Sequence, residues 1–250
     1  MRNVDIMRTS ASRPDYLMKS TESMVKYLKP TVNFRWILHE DCLNDKRSEQ
    51  CVKYAKESGI YHVIERHNPA IGQGPSLGWL LGQCKTPYVL NWEDDQELIK
   101  EIDIESLCNL MDKNSDINQI GFHKRTILHK KPGFIKKQVV RDGIPLVTDP
   151  HWAFTPSLFR ASFLKPKWVS FTDQVHWKMN EVIKGGKGMR DANWVIAHTG
   201  TYWLGCIRHI DMLMRDHGFT QEQAENCDDG RYHIHLGTGD GSIRHGRYGK

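Results

Sequence analysis

Over the first half of the chain, short apolar runs alternate with longer segments of helical period. Val4–Met7, Phe34–Leu38, Tyr61–Ile64, Tyr88–Trp92 and Gln119–Phe122 read as five strands, rich in β-branched and aromatic residues. Between the first two, Ser12 reads as a helix N-cap, with Pro14 in the first turn and Leu17, Met24 and Leu28 at helical spacing. Lys46–Ser58 predicts a second helix that stops at Gly59, Pro75–Cys84 a short third, and Ile104–Met111 a fourth with Ile104, Leu107, Cys108 and Met111 on one face. Strands alternating with helices at this spacing imply βαβ units and a mainly parallel sheet.

Polar clusters follow the strands: Arg8-Thr9-Ser10, His39-Glu40-Asp41, Arg66-His67-Asn68 and Glu93-Asp94-Asp95. Ligands of open parallel sheets bind beyond the carboxyl ends of the strands, so these clusters lie where a site belongs. The second half is less regular. Asp142-Gly143 between β-branched residues signals a hairpin within Lys137–Val147, and helical period returns only over Ile207–His217. The expected organisation is a single domain with one half over 1–122, a second half over 123–220, and a glycine-rich basic tail over 221–250.

Composition narrows the class. With 39% hydrophobic and 26% charged residues the chain is globular. A formal charge of +5, with 13 His besides, suits an anionic ligand such as a nucleoside diphosphate. No apolar run approaches the roughly 20 residues of a membrane span. The six scattered Cys form no CxxC pair and read as free thiols, which places the protein in the cytoplasm.

The chemistry concentrates in Asn91–Glu97, NWEDDQE, at the end of a buried-looking strand. Three adjacent acids repel one another unless a cation joins them, and Mg²⁺ or Mn²⁺ prefers oxygen ligands shared with phosphates. A spacing of two along an extended segment directs Glu93 and Asp95 the same way. The same acids also suit a solvated loop or a helix first turn.

At this point the chain resembles a family 2-type glycosyltransferase. The resemblance rests on IMRTSASRPDYLMKSTESM, on FRWILHEDCLND, on NPAIGQGPSLGWLLGQC and on the DXD-like YVLNWEDDQE, and it covers Val4 to Phe122. It implies a GT-A fold: α/β, Rossmann-like, with a mainly parallel central sheet flanked by helices and a small antiparallel element in the second half. It implies that Thr9, Ser10 and Arg13 line the nucleotide base, and that Glu40 or Asp41 accepts a hydrogen bond from uracil. Glu93, Asp94 and Asp95 then bind metal, ribose and diphosphate, with Glu standing where the family has the first Asp. The expected partner is a nucleotide-sugar donor, a UDP-sugar, with Mn²⁺ or Mg²⁺ as cofactor.

The resemblance also implies a carboxylate downstream that takes the acceptor's proton in an inverting displacement. Asp173, in SFTDQVHWKMNEVIKGG, matches that position, and it suits a helix N-cap equally. Trp152, in the segment before it, is a stacking platform for an acceptor or a core residue. His198 matches a late strand-end His that completes the metal set in many GT-A enzymes. The acceptor is a glycan, a small molecule or nucleic acid. Gly121–Arg141 carries seven basic residues and no acid, Lys130 and Lys131 among them, which suits a modified base in DNA as acceptor or a solvated loop. The tail reads as a lid or as a disordered terminus. The alternatives are a metal-dependent nuclease or phosphotransferase, and a non-catalytic nucleic-acid-binding domain.

Overall fold

The computed structural model describes residues 1–122, 138–149, 156–166, 201–204 and 233–235. The chain begins β1 (Arg2–Ser10), α1 (Pro14–Tyr27), β2 (Val32–Asp41), α2 (Asp45–Ser58), β3 (Tyr61–His67), α3 (Gln73–Gln83) and β4 (Tyr88–Asn91). It continues with β5 (Gln96–Leu98), α4 (Ile104–Lys113), β6 (Gln119–Phe122), β7 (Gln138–Arg141), β8 (Ile144–Asp149), β9 (Ser157–Arg160), β10 (Thr201–Leu204) and β11 (His233–His235). Nine strands form one sheet in the order β3-β2-β1-β4-β9-β6-β10-β8-β7, and β11 pairs with β5 in a second.

β1 pairs in parallel with β2 and with β4, and β2 in parallel with β3. β9 enters antiparallel between β4 and β6, and β10 rejoins β6 in parallel. Strand order reverses at β1: β2 and β3 lie on one side, β4 on the other. A crevice therefore opens between the carboxyl ends of β1 and β4, the topological switch point.

Strand alternation builds a core on each face. Val4, Ile6, Trp36, Leu38, Tyr88 and Leu90 pack with Leu17 and Met24 of α1, Cys51 and Ala55 of α2 and Leu107, Cys108 and Met111 of α4. Met7, Ile37 and Val89 point the other way, onto Leu77, Leu80 and Leu81 of α3. Asp5 on that second face is fully buried and locks the turn into β4: its carboxylate accepts the backbone N–H of Thr86 at 2.8 Å and the Arg35 guanidinium at 2.9 Å.

The first four strands, the four helices and β6 lie in their expected places, with β1 to β3, α2 and α4 longer than expected, β4 one residue shorter and β6 unchanged. Gly59 closes α2 in the left-handed conformation. The hairpin also forms: Asp142 and Gly143 both take positive φ, 48° and 78°, the type I′ geometry whose twist matches the flanking strands β7 and β8. One expectation is corrected. Ser12 does not cap α1; Arg13 holds the N-cap position with no side-chain bond. Ser12 has φ 57°, and its hydroxyl accepts the N–H groups of Leu43 at 3.0 Å and Asn44 at 2.9 Å. The residue serves the loop after β2 instead of its own helix. The helix expected over Ile207–His217 lies outside the described residues.

Candidate functional site

Three strand ends meet at the crevice. β1 contributes Arg8, Thr9 and Ser10, β2 contributes Glu40 and Asp41, and the turn between β4 and β5 contributes Glu93, Asp94 and Asp95. Backbone bonds tie that turn to β1: Trp92 N–H donates to Met7 C=O at 3.1 Å, and Asp94 N–H to Thr9 C=O at 3.2 Å.

The acids are joined by Arg13. Its Nε donates to Asp94 Oδ2 at 3.0 Å, its Nη2 to Asp94 Oδ1, and its Nη1 to Asp95 Oδ2 at 2.9 Å. Asp94 is fully buried and Asp95 almost so. Burial pushes the Asp94 carboxyl up, and the Arg13 and Arg8 charges pull it back. Glu93 adjoins this pair in sequence. The segment is a turn, with Gln96 N–H on Glu93 C=O at 3.4 Å, so strand alternation does not set its side chains. Glu93 Oε1 accepts Gln73 Nε2 from α3 at 3.2 Å.

Glu40 and Asp41 point to opposite faces, as neighbours on a strand must. Asp41 faces α3, where its two oxygens accept the N–H groups of Ile71 at 2.7 Å and Gly72 at 2.8 Å. Gly72 sits at φ 89° and ψ 163°, a region open essentially to glycine alone. Glu40 points to the other face and is fully buried. Its Oε1 accepts the Ser12 N–H at 2.7 Å, while Oε2 makes no hydrogen bond. Burial drives the Glu40 carboxyl up to about 7, against the bond from the Ser12 N–H and helped by the Asp94 charge. Ser10 is buried beside it, its hydroxyl 3.7 Å from Cys51 Sγ.

Two further residues hold the turn from behind: Arg8, placed by the sequence in the cluster after β1 without a role, and Ser20, which it did not single out. Arg8 is fully buried, its Nη2 donating to Ser20 Oγ at 3.0 Å and its Nη1 2.6 Å from Met24 Sδ. Ser20 Oγ in turn donates to the carbonyls of Glu93 and Gln96. His39 was grouped with the acids, yet it stacks on His67 at 4.8 Å, its Nε2 2.7 Å from His67 Nδ1. Burial and the His67 charge hold its imidazole down at about 4.

A divalent ion of the Mg²⁺ or Mn²⁺ kind needs only one or two carboxylates when substrate phosphates supply the rest. Among the described residues no three His, Cys, Asp or Glu converge into an all-protein cage. The buried Asp94–Asp95 pair, with a guanidinium standing where a cation is required, fits the shared kind of site. Asp173, Trp152, His198, Lys130 and Lys131 lie outside the described residues.

A Rossmann-like sheet with acids at its switch point and β9 inserted antiparallel is the GT-A architecture of nucleotide-sugar-dependent glycosyltransferases. The chain belongs to glycosyl transferase family 2, whose model matches residues 9–163. Among solved structures it is similar to S. aureus TarS, with a TM-score of 0.54 and 16% identity, over 82% of this chain and 35% of that one. It is equally similar to TarS 1–349 in complex with UDP-GlcNAc, with a TM-score of 0.54 and 16% identity, over 82% of this chain and 56% of that one. The chain thus spans about a third of the longer TarS chain and somewhat over half of the shorter. No curated protein sequence matches it. Among the described residues, no helix is long and apolar enough to cross a membrane.

Proposed function

We propose that the protein transfers a sugar from a UDP-sugar to an acceptor hydroxyl, with residues 1–122 holding the donor. The observation that carries this reading is the convergence of a buried acid from β2 and a cation-bridged acid pair from the β4–β5 turn on the switch-point crevice of a family 2 chain. The UDP-GlcNAc complex of TarS supports UDP as the carrier.

Of the two acids ending β2, Glu40 is the one assigned to the base. Asp41 places both oxygens on backbone N–H groups, whereas Glu40 Oε2 is buried with no partner and would gain one from a uracil imide N–H once the site opens to the base. Thr9 and Ser10 line the same edge. Asp95, with Glu93 beside it, would hold Mn²⁺ or Mg²⁺, and Asp94 lies behind it on Arg13. When bound there, a divalent ion supplies Lewis-acid stabilisation of the leaving diphosphate. Asp173 takes the acceptor's proton in an inverting attack, and Trp152, Lys130 and Lys131 line the acceptor side, with His198 a further ligand. The four described cysteines, all buried free thiols, support a reducing compartment, the cytoplasm.

The test is product release. The protein is incubated with UDP-sugars and Mn²⁺, and free UDP is measured. Asp95→Ala is expected to reduce release to background; normal turnover in that variant ends the metal role, and cleavage of nucleic acid with no UDP release returns the phosphotransferase reading.

A further inference from the structure

We infer that Arg13 is an exchangeable internal cation: in the donor-free protein it occupies the acid pair, and it yields Asp95 to the divalent ion only when a diphosphate arrives to take its guanidinium. The inference rests on the metal reading of Asp95 given above and adds the order in which the site fills.

The geometry makes the competition direct. Arg13 spends Nε, Nη1 and Nη2 on the two carboxylates, taking both oxygens of Asp94 and Oδ2 of Asp95. The remaining oxygen, Asp95 Oδ1, accepts Gln96 Nε2 at 3.3 Å. No oxygen of either acid is left without a donor, so an ion entering at Asp95 must displace one. The side chains are shielded, with Arg13 11% exposed and Asp94 fully covered, so charge here is poorly screened by solvent. A metal beside an unmoved guanidinium meets like-charge repulsion in that setting. Moving Arg13 out with nothing to receive it strands a buried guanidinium and removes the counter-charge of the acids.

A diphosphate resolves both costs. Its oxygens accept a guanidinium fork at least as well as carboxylates do, and they complete the coordination of the metal. Arg8 stays behind as the fixed positive charge acting on Asp94, buried and bonded to Ser20. Metal and nucleotide therefore bind with positive coupling that passes through one side chain, and by linkage each must tighten the other by the same factor.

The experiment measures Mn²⁺ binding to the full chain from the loss of the free-ion electron paramagnetic resonance signal, with and without UDP. Wild type, Arg13→Met and Arg13→Gln are compared, each checked for folding by circular dichroism. Both variants are expected to bind Mn²⁺ alone at least about tenfold tighter than wild type, the ratio one charge-assisted hydrogen bond is worth, and to lose a similar factor of the tightening caused by UDP. Variants that bind Mn²⁺ alone no tighter than wild type, while wild type binds it with UDP, overturn the exchange and leave the metal reading standing. Failure of every form to bind Mn²⁺ in the presence of UDP removes the metal reading and the exchange with it. A wild-type readout guards against a folding defect in the variants: the Arg13 Nε–H resonance is expected to shift on adding UDP with Mg²⁺ but not with Mg²⁺ alone. A resonance unmoved by the pair also overturns the exchange.

Discussion

Arg8 reaches Ser20 through a 3.0 Å hydrogen bond, and that serine hydroxyl donates onward to the carbonyls of Glu93 and Gln96. A buried arginine thus braces the acidic turn from the side opposite Arg13. Groups that orient a ligand without touching it typically matter tenfold to a hundredfold. Arg8→Met is expected to lower kcat/KM for UDP release by about tenfold. Because Arg8 is a buried counter-charge to Asp94 and bonds Ser20, its removal is also expected to lower the melting temperature, so kcat/KM is compared well below the unfolding transition. Ser20→Ala should show the same loss, and the double variant little more, since both act through one strut. A variant whose kcat/KM, measured well below its unfolding transition, matches wild type would make Arg8 a packing residue and nothing else.

Asp41 and Gly72 form a second support, on the α3 face. Gly72→Ala puts a Cβ on a backbone at φ 89° and is expected to cost roughly 1–3 kcal/mol in denaturant unfolding. Asp41→Ala leaves the Ile71 and Gly72 N–H groups without their acceptor and is expected to cost a similar amount, about 1–3 kcal/mol. With Glu40 intact, Asp41→Ala should change UDP affinity less than Glu40→Ala does. Equal losses of affinity would put the base on the wrong acid.

Much of this was legible in the sequence, for reasons that particular residues make clear. Strands β1 to β4 and their helices announce themselves through apolar runs and a local stop signal such as Gly59. The resemblance singled out Glu40, Asp94, Asp95 and Arg13, but it set Arg13 at the nucleotide base, and its bonds to Asp94 and Asp95 were not foreseen. What escaped was set by contacts far along the chain. β5 is three residues, Gln-Glu-Leu, with no period to read, and it exists because β11 pairs with it from His233 to His235. β9 reads as part of an acceptor segment, and only tertiary pairing slots it between β4 and β6. Ser12 has the residue type of an N-cap, but the Leu43 and Asn44 amides claim its hydroxyl. An arginine after a strand looks solvent-facing, so nothing local to Arg8 betrays that Ser20 and Met24 enclose it.

Chelation separates the roles of metal and fold. Arg13 pairs with both Asp94 and Asp95, and Arg8 adds a second positive charge near Asp94, so the folded state does not depend on a divalent ion at that place. Treatment with EDTA is expected to reduce UDP release to background and to be reversed by Mn²⁺, while the melting temperature of the nucleotide-free protein stays the same. A large drop in melting temperature on chelation would point instead to a structural metal.

Glu40 should leave a signature in the pH dependence of stability. Its carboxyl is raised from 4.5 to about 7, chiefly by burial. Between those values the folded protein keeps a proton that the unfolded chain releases. Stability contributed by this group is therefore full below pH 4.5, falls as pH rises toward 7, and is level above. The loss amounts to about 3 kcal/mol at most, by the conversion between pKa and free energy. Glu40→Gln keeps an acceptor for the Ser12 N–H and has no proton to lose, so its unfolding free energy should exceed that of wild type at pH 8 and converge with it near pH 4. Donor binding runs the other way. An ionised carboxylate accepts an imide N–H more strongly than a neutral acid does, so UDP affinity should rise as pH passes 7 in wild type and stay flat in the variant. Parallel pH profiles for the two proteins, in unfolding and in UDP binding alike, would remove Glu40 from the base site.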